Sequence, residues 1–333
     1  MTSGYDVDDH KRFDRPKGRS RPRTKQRPAH DDAVIGRVIT LNRGRYTLLI
    51  DDPDGERMVT AMKARALSRG SIVVGDDVRV VGDISGADGT LARIVGVELR
   101  RTVLRRTADD DDPIERVIVA NTDQLAIVVA LADPEPRPRL IDRCLVAAYD
   151  ADLDPLLCLT KADLETSNEE LEQYEPLGVP TVTTQQDGDL DPLRDALRDR
   201  TSVLVGHSGV GKSTLVNALV PGADRVTSEV NVVTGRGRHT STSAYALRLP
   251  FGGWIVDTPG IRSFGLAHVD LDRILSAFGD LAAAATACPR GCTHTADEPE
   301  CGLDTAVAAG QIDPRRVDSF RRLLASRDRR AGD

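Results

Sequence analysis

The chain has 333 residues, is 40% hydrophobic and carries a formal net charge of −7. At roughly 100–200 residues per domain, that length predicts two or three domains with a sizeable core. No run approaches the ~18 apolar residues needed to cross a bilayer, and the charged amino terminus lacks the apolar centre of a signal peptide. A cytoplasmic protein with no membrane partner is expected.

Five cysteines in a cytoplasmic chain argue against a disulfide framework, because cytosolic thiols are kept reduced. Three of them crowd between Cys288 and Cys301, where a metal site is the better reading. An acidic chain does not read as a nucleic-acid binder throughout, yet its charge is uneven. From Lys11 to Arg27 the sequence carries nine basic residues against one acid. Such a segment buries too little apolar surface to offset its ordering entropy, so residues 1–33 are expected to form a disordered tail. The tail either attracts nucleic-acid phosphates through counterion release or only solubilises the chain.

From Val34 to Arg106 the texture is β-branched. VIGRVITL, RYTLLID, RMVTAM, SIVVGDDVRVVG and TLARIVGVEL are separated by Gly, Asp and Pro turns and predict about five short strands. This suits an OB-type barrel or an SH3-like one, between which strand counting does not choose. Beyond Pro113 strands alternate with helices. LAIVVALAD, PLLCLT, VPTVTT and SVLVG read as parallel strands; PRLIDRCLVAAYD, SNEELEQY and LDPLRDALRD read as helices. Alternation of this kind predicts a mostly parallel sheet covered on both faces. In the first helix, Leu140, Ile141, Cys144, Leu145 and Ala148 share one face. Cys144 and Cys158 are expected to be inert core thiols.

The chemistry begins where SVLVG ends. Gly206-His207-Ser208-Gly209-Val210-Gly211-Lys212-Ser213 fits G-x-x-x-x-G-K-[ST], with Thr214 and a helix after it. Its N–H groups and the helix N-terminus suit phosphates; Lys212 would reach the β- and γ-phosphates and Ser213 would ligate Mg²⁺. Downstream, the apolar strand GGWIVDTPG ends in Asp257-Thr258-Pro259-Gly260. Asp257 is placed to hold Mg²⁺ through water, and the Gly260 N–H to sense the γ-phosphate. Upstream, Thr160-Lys161-Ala162-Asp163 resembles the N-K-x-D guanine motif. Asp163 can accept from guanine N1–H and the 2-amino group, which adenine lacks, and such a site discriminates strongly. Lys161 would pack along the base. Threonine in place of asparagine at Thr160 is expected to weaken support for this loop while leaving base reading intact.

The motifs run guanine loop, phosphate loop, DTPG, which is a circular permutation of the usual GTPase order and is tolerable where domain termini lie close together. With a β-domain before and a Cys/His cluster after, the chain resembles the small-ribosomal-subunit biogenesis GTPases with a circularly permuted G domain. The resemblance implies an OB-fold domain over 34–106, a permuted G domain over 107–265 and a helical zinc-binding domain over 266–333. It also implies GTP as substrate and GDP as product, with the 30S subunit and its 16S rRNA as partners of a monomeric protein. Switch I would lie in GADRVTSEVNVVTGRGRHTSTSAY. There Thr240, favoured over Thr242, would close on Mg²⁺, and His239 would assist turnover. Gly235 and Gly237 suit a loop that orders with nucleotide. Ile261 stands where many GTPases place a water-orienting Gln, so slow intrinsic hydrolysis is expected. Thr183-Thr184 stands where the family places the loop that backs the guanine.

Cys288-x₃-Cys292-x-His294-x₆-Cys301 supplies a Cys₃His set for one structural Zn²⁺. Its spacing differs from the family motif by one residue in the first gap and one in the last. The arginine pairs of PRRVDSFRRLLASRDRR could flank RNA or merely solvate a helix. Two other readings remain at this level: an RNA-binding module that uses GTP as a conformational timer, and a P-loop ATPase or kinase.

Overall fold

Inward and outward residues alternate along five early strands and close them into a barrel. These are β1 (Val34–Asn42), β2 (Arg45–Asp52), β3 (Gly55–Lys63), β4 (Asp77–Gly82) and β5 (Ala92–Val97). Val38, Leu48, Ile50, Val59, Val78, Val80 and Ile94 turn inward and make a core of their own. The strand order is β1-β2-β3-β5-β4, with β4 returning to β1 and β3 running parallel to β5. That closure is the five-stranded Greek-key barrel of the OB reading. The computed structural model describes residues 30–42, 44–67, 72–107, 115–223, 244–258, 266, 269 and 271–328. The basic tail up to residue 29 lies outside them, as do Gly235, Gly237, His239, Thr240, Thr242, Gly260 and Ile261.

A hairpin that the sequence pattern did not reveal follows the barrel: β6 (Val103–Thr107) pairs antiparallel with β7 (Glu115–Ala120). The doubly wound part then runs β8 (Gln124–Ala130), α1 (Pro138–Asp150), β9 (Asp154–Thr160), α2 (Glu169–Glu172), a 3-10 turn at Glu175–Leu177, and β10 (Thr181–Thr183). It continues through α3 (Asp191–Leu197), β11 (Thr201–Val205), α4 (Lys212–Leu219), β12 (Tyr245–Arg248) and β13 (Trp254–Asp257). Its sheet has the order β10-β9-β8-β11-β13-β12. All neighbours are parallel except β12 with β13. One face packs Ile127, Val129, Val203 and Val205 against α1. The other packs Ala126, Val128, Ala130 and Leu204 against α3 and α4. At its far edge β12 pairs with β1, so the barrel and the parallel sheet form one continuous ladder.

Four helices complete the described chain: α5 (Leu271–Ser276), α6 (Gly279–Ala285), α7 (Gly302–Ala308) and α8 (Pro314–Asp328). They change the reading of α1. Its sequence predicts one apolar face, but every residue from Ile141 to Tyr149 is buried. The reason is α8, whose Arg322 Nε donates to Asp142 Oδ1 at 3.3 Å while Arg143 Nη1 donates to the Ser326 carbonyl at 3.2 Å. Phe278 bridges the two layers edge-on, with ring centroids 4.9 Å from Tyr149 and 5.6 Å from Phe320. Four arginines of α8 are engaged within the chain: Arg315 with Asp313, Arg316 with Asp280, Arg321 with Asp304 and Arg322 with Asp142. Cys144 and Cys158 are fully buried, and burial pushes each thiol up to about 12, as inert core cysteines require. Among the described residues no helix is long and apolar enough to cross a membrane.

Candidate nucleotide and metal sites

Parallel strands deliver their following loops to one end of a sheet, which is where open α/β folds bind ligands. Three strands of this sheet, β9, β11 and β13, with β8 between the first two, lead into the guanine-like loop, the phosphate loop and the DTPG sequence. The phosphate loop, Gly206 to Gly211, leaves β11 at Gly206. There φ is 153°, and a Cβ would stand 2.3 Å from the Val128 carbonyl oxygen, so only glycine fits. His207, Ser208, Gly209 and Val210 then carry the chain to α4, which begins at Lys212. Ser213 and Thr214 are exposed in its first turn. The Lys212 ammonium donates to the carbonyls of Gly206 at 2.6 Å and His207 at 2.8 Å. It is thus folded over the loop on which phosphates would lie. Burial lowers its pKa, and the nearby Asp257 carboxylate opposes that shift.

The guanine-like loop is joined to the phosphate loop directly. The buried Thr160 hydroxyl donates to the Val210 carbonyl at 2.6 Å and lies 3.3 Å from that of Val129. Threonine at this position thus reaches the phosphate loop with its own hydroxyl. Lys161 turns the chain with φ 61° and its ammonium donates to the Asp133 carbonyl. Ala162 N donates to the Thr184 carbonyl at 3.2 Å, and Gln186 N to Asp163 Oδ1 at 3.4 Å. The Thr183–Thr184 segment therefore lies along the loop that carries the exposed Asp163. Gln186 carried no sequence signal for this placement.

Asp257 ends β13 and is only 9% exposed. Burial raises its pKa; the hydrogen bond from Tyr245, then the charge of Lys212, then the backbone at Thr258 pull it back. The Thr258 hydroxyl donates to the Leu204 carbonyl at 3.2 Å, tying the end of β13 to β11. A buried carboxylate with a serine hydroxyl from α4 is an oxygen-only donor set, the kind suited to Mg²⁺.

The second cluster lies between α6 and α7. The ligand atoms of Cys288, Cys292, His294 and Cys301 all lie within 4.8 Å of one another. His294 Nδ1 is 3.5 Å from the Cys288 sulfur, 3.5 Å from that of Cys292 and 3.8 Å from that of Cys301. A tetrahedron with Zn–S of ~2.3 Å and Zn–N of ~2.0–2.1 Å has S···N edges of ~3.6 Å, so this set could hold a zinc ion. The backbone spacing, one residue off in two gaps, does not prevent convergence. His294 adopts φ 58°, and Gly302 N donates to the Cys288 sulfur at 3.1 Å. Arg321 donates to the His294 carbonyl at 2.9 Å while paired with Asp304, and it also interacts with Cys301. Gly302 and Arg321 belong to no ligand motif and were not legible as parts of the cluster.

The RsgA GTPase family model matches residues 97–267. A small ribosomal subunit biogenesis GTPase RsgA from Chlorobaculum parvum is 36% identical over 310 residues, covering 90% of this chain and 99% of the relative. Among solved structures, YjeQ from Thermotoga maritima superposes with a TM-score of 0.64 at 26% identity, over 89% of this chain and 98% of that one. YloQ, a circularly permuted GTPase, gives 0.63 at 25% identity, over 91% and 98%. With the guanine-like loop preceding the phosphate loop in the chain and both at one end of the sheet, the chain belongs to the RsgA GTPase family.

Proposed function

We propose that this chain hydrolyses GTP to GDP and phosphate, binds the 30S ribosomal subunit through its 16S rRNA, and assists late maturation of that particle as a cytoplasmic monomer. The observation that supports the reading is the Thr160 hydroxyl bond to Val210, which joins the two loops that would read the base and hold the phosphates. On this reading Asp163 accepts from guanine, Lys161 covers the base and the 206–214 loop cradles the phosphates. Lys212 leaves its loop carbonyls for phosphate oxygens, so its charge meets the negative charge that spreads over the transferred group. Ser213 and Asp257, with Thr240 from the 224–243 segment, would hold Mg²⁺, which when bound neutralises charge on the β- and γ-phosphates. The Gly260 N–H is assigned to the γ-phosphate and His239 to the attacking water. Cys288, Cys292, His294 and Cys301 would hold one structural zinc in a helical domain over 266–333, after a barrel over 34–106 and a G domain over 107–265.

Competition binding with GTP, GDP, ATP and XTP tests the core of this reading. Guanine nucleotides should win over ATP by orders of magnitude, and Asp163→Asn should move the preference toward xanthine. Equal affinity for ATP and GTP removes the guanine assignment and leaves a P-loop ATPase or kinase.

A further inference from the structure

The carboxylate that ends β13 is held by the last residue of the stretch expected to carry switch I, a side chain to which no nucleotide motif assigns a role. Tyr245 opens β12 directly across from Asp257, and its phenol donates to Asp257 Oδ2 at 2.9 Å. Its backbone is pinned from the other side as well. Tyr245 pairs with Thr40 of the barrel strand β1, and the Thr40 hydroxyl donates to the carbonyl of the preceding Ala244 at 3.3 Å. A ring fixed by strands on both flanks has little freedom to follow its partner, so the partner must follow it.

We propose that Tyr245 is the positioning residue for the divalent cation that accompanies GTP: its hydroxyl holds Asp257 in one orientation and thereby sets the affinity for that ion. The proposal rests on the reading above that Asp257 is a Mg²⁺ residue. A carboxylate offers about four lone-pair sites on two oxygens, so one phenol leaves room for a metal-bound water or the metal itself. Without the phenol, a carboxylate 9% exposed can rotate toward Lys212, whose charge acts on it. Groups that orient metal-binding carboxylates typically change metal affinity by ~10–100-fold when removed. A carboxylate acting through water should show the lower end.

The test uses the full chain and a fluorescent GDP analogue titrated with MgCl₂, comparing wild type, Tyr245→Phe and Asp257→Asn. Thermal unfolding is followed in parallel by the single tryptophan, Trp254. Tyr245→Phe should raise the Mg²⁺ concentration at half-saturation about tenfold, leaving nucleotide affinity in EDTA and the unfolding midpoint unchanged. Asp257→Asn should raise it at least as far. If Asp257→Asn shifts the Mg²⁺ curve and Tyr245→Phe does not, the positioning role is overturned while the Mg²⁺ reading stands. If neither shifts it, both fall together. A Tyr245→Phe protein that loses EDTA affinity and melting temperature in parallel shows a packing role only, which also overturns the proposal.

Discussion

Thr160 ties two loops together through a single hydroxyl. Its hydroxyl satisfies the buried Val210 carbonyl at 2.6 Å, and a buried acceptor left without a donor costs about 1–3 kcal/mol. Thr160→Val keeps the shape and removes the donor, so the two loops should lose their register. We expect the dissociation constant for GDP to rise about tenfold, equivalent to ~1.4 kcal/mol, while Thr160→Ser stays near wild type. Calorimetric titration of both variants decides it, and an unchanged Thr160→Val would show the bond to be dispensable. At this scale the sequence is most legible where chemistry demands fixed short spacing, as in Gly206 to Ser213, Thr160 to Asp163 and the Cys/His set. Tyr245, Gly302 and Arg321 were not legible, because each acts on a partner far along the chain or through its backbone. The partner of Thr160 was not legible for the same reason: Val210 is 50 residues away.

Among elements, α7 and α8 depend on the Cys/His cluster and on ion pairs to hold their places. Cys301 caps α7, and a Cβ on Gly302 would stand 2.5 Å from the Ala284 carbonyl oxygen and 3.2 Å from the Cys288 sulfur. Gly302→Ala must therefore push α7 from α6 and spread the ligands. Elemental analysis should find about one zinc in wild type and less in this variant, and chelation should loosen α6–α8 before the parallel sheet in hydrogen exchange. Wild type purified without zinc would remove the metal reading. Acid should act on the same helices. Arg316 holds Asp280, and Arg321 holds Asp304, below the usual carboxylate range. Carboxylates lowered in the fold add stability that is complete above the unfolded value of ~3.9 and is lost as pH falls through the folded value. Exchange protection of α8 should thus hold at pH 5 and fade below about pH 4; protection already lost at pH 5 would contradict it. The helix α1 is the element least legible from periodicity. Asp142 and Arg143 mark a polar face by pattern, yet their partners Arg322 and Ser326 lie 180 and 183 residues on. The β6–β7 hairpin and β12 escaped notice because short strands with charged residues carry little alternation.

Across the whole molecule, one ladder runs from the barrel through β1 and β12 to β13, and one core joins α1 to α7 and α8. Strain applied to either end has a packed route to the nucleotide loops, which is what a GTPase governed by a large partner needs. Ile261 follows DTPG in place of a water-orienting amide, so hydrolysis by the isolated chain should be slow. The 30S subunit should order switch I around the nucleotide, bring Thr240 and His239 to the γ-phosphate, and raise the rate by at least about tenfold. Lys212→Ala should abolish both basal and stimulated turnover. His239→Ala should bind GTP normally and blunt only the stimulated rate. Removing residues 1–28, which include the basic run, should weaken subunit binding most at low salt, since exposed charges are screened within ~10 Å at 0.1 M. Phosphate release measured against 30S concentration, with 50S subunits as the control, reads all of these. Stimulation by neither particle, or by both equally, would remove the small-subunit partner and leave a GTPase of another process. Full stimulation in His239→Ala would move the water-orienting role to a group supplied by the ribosome.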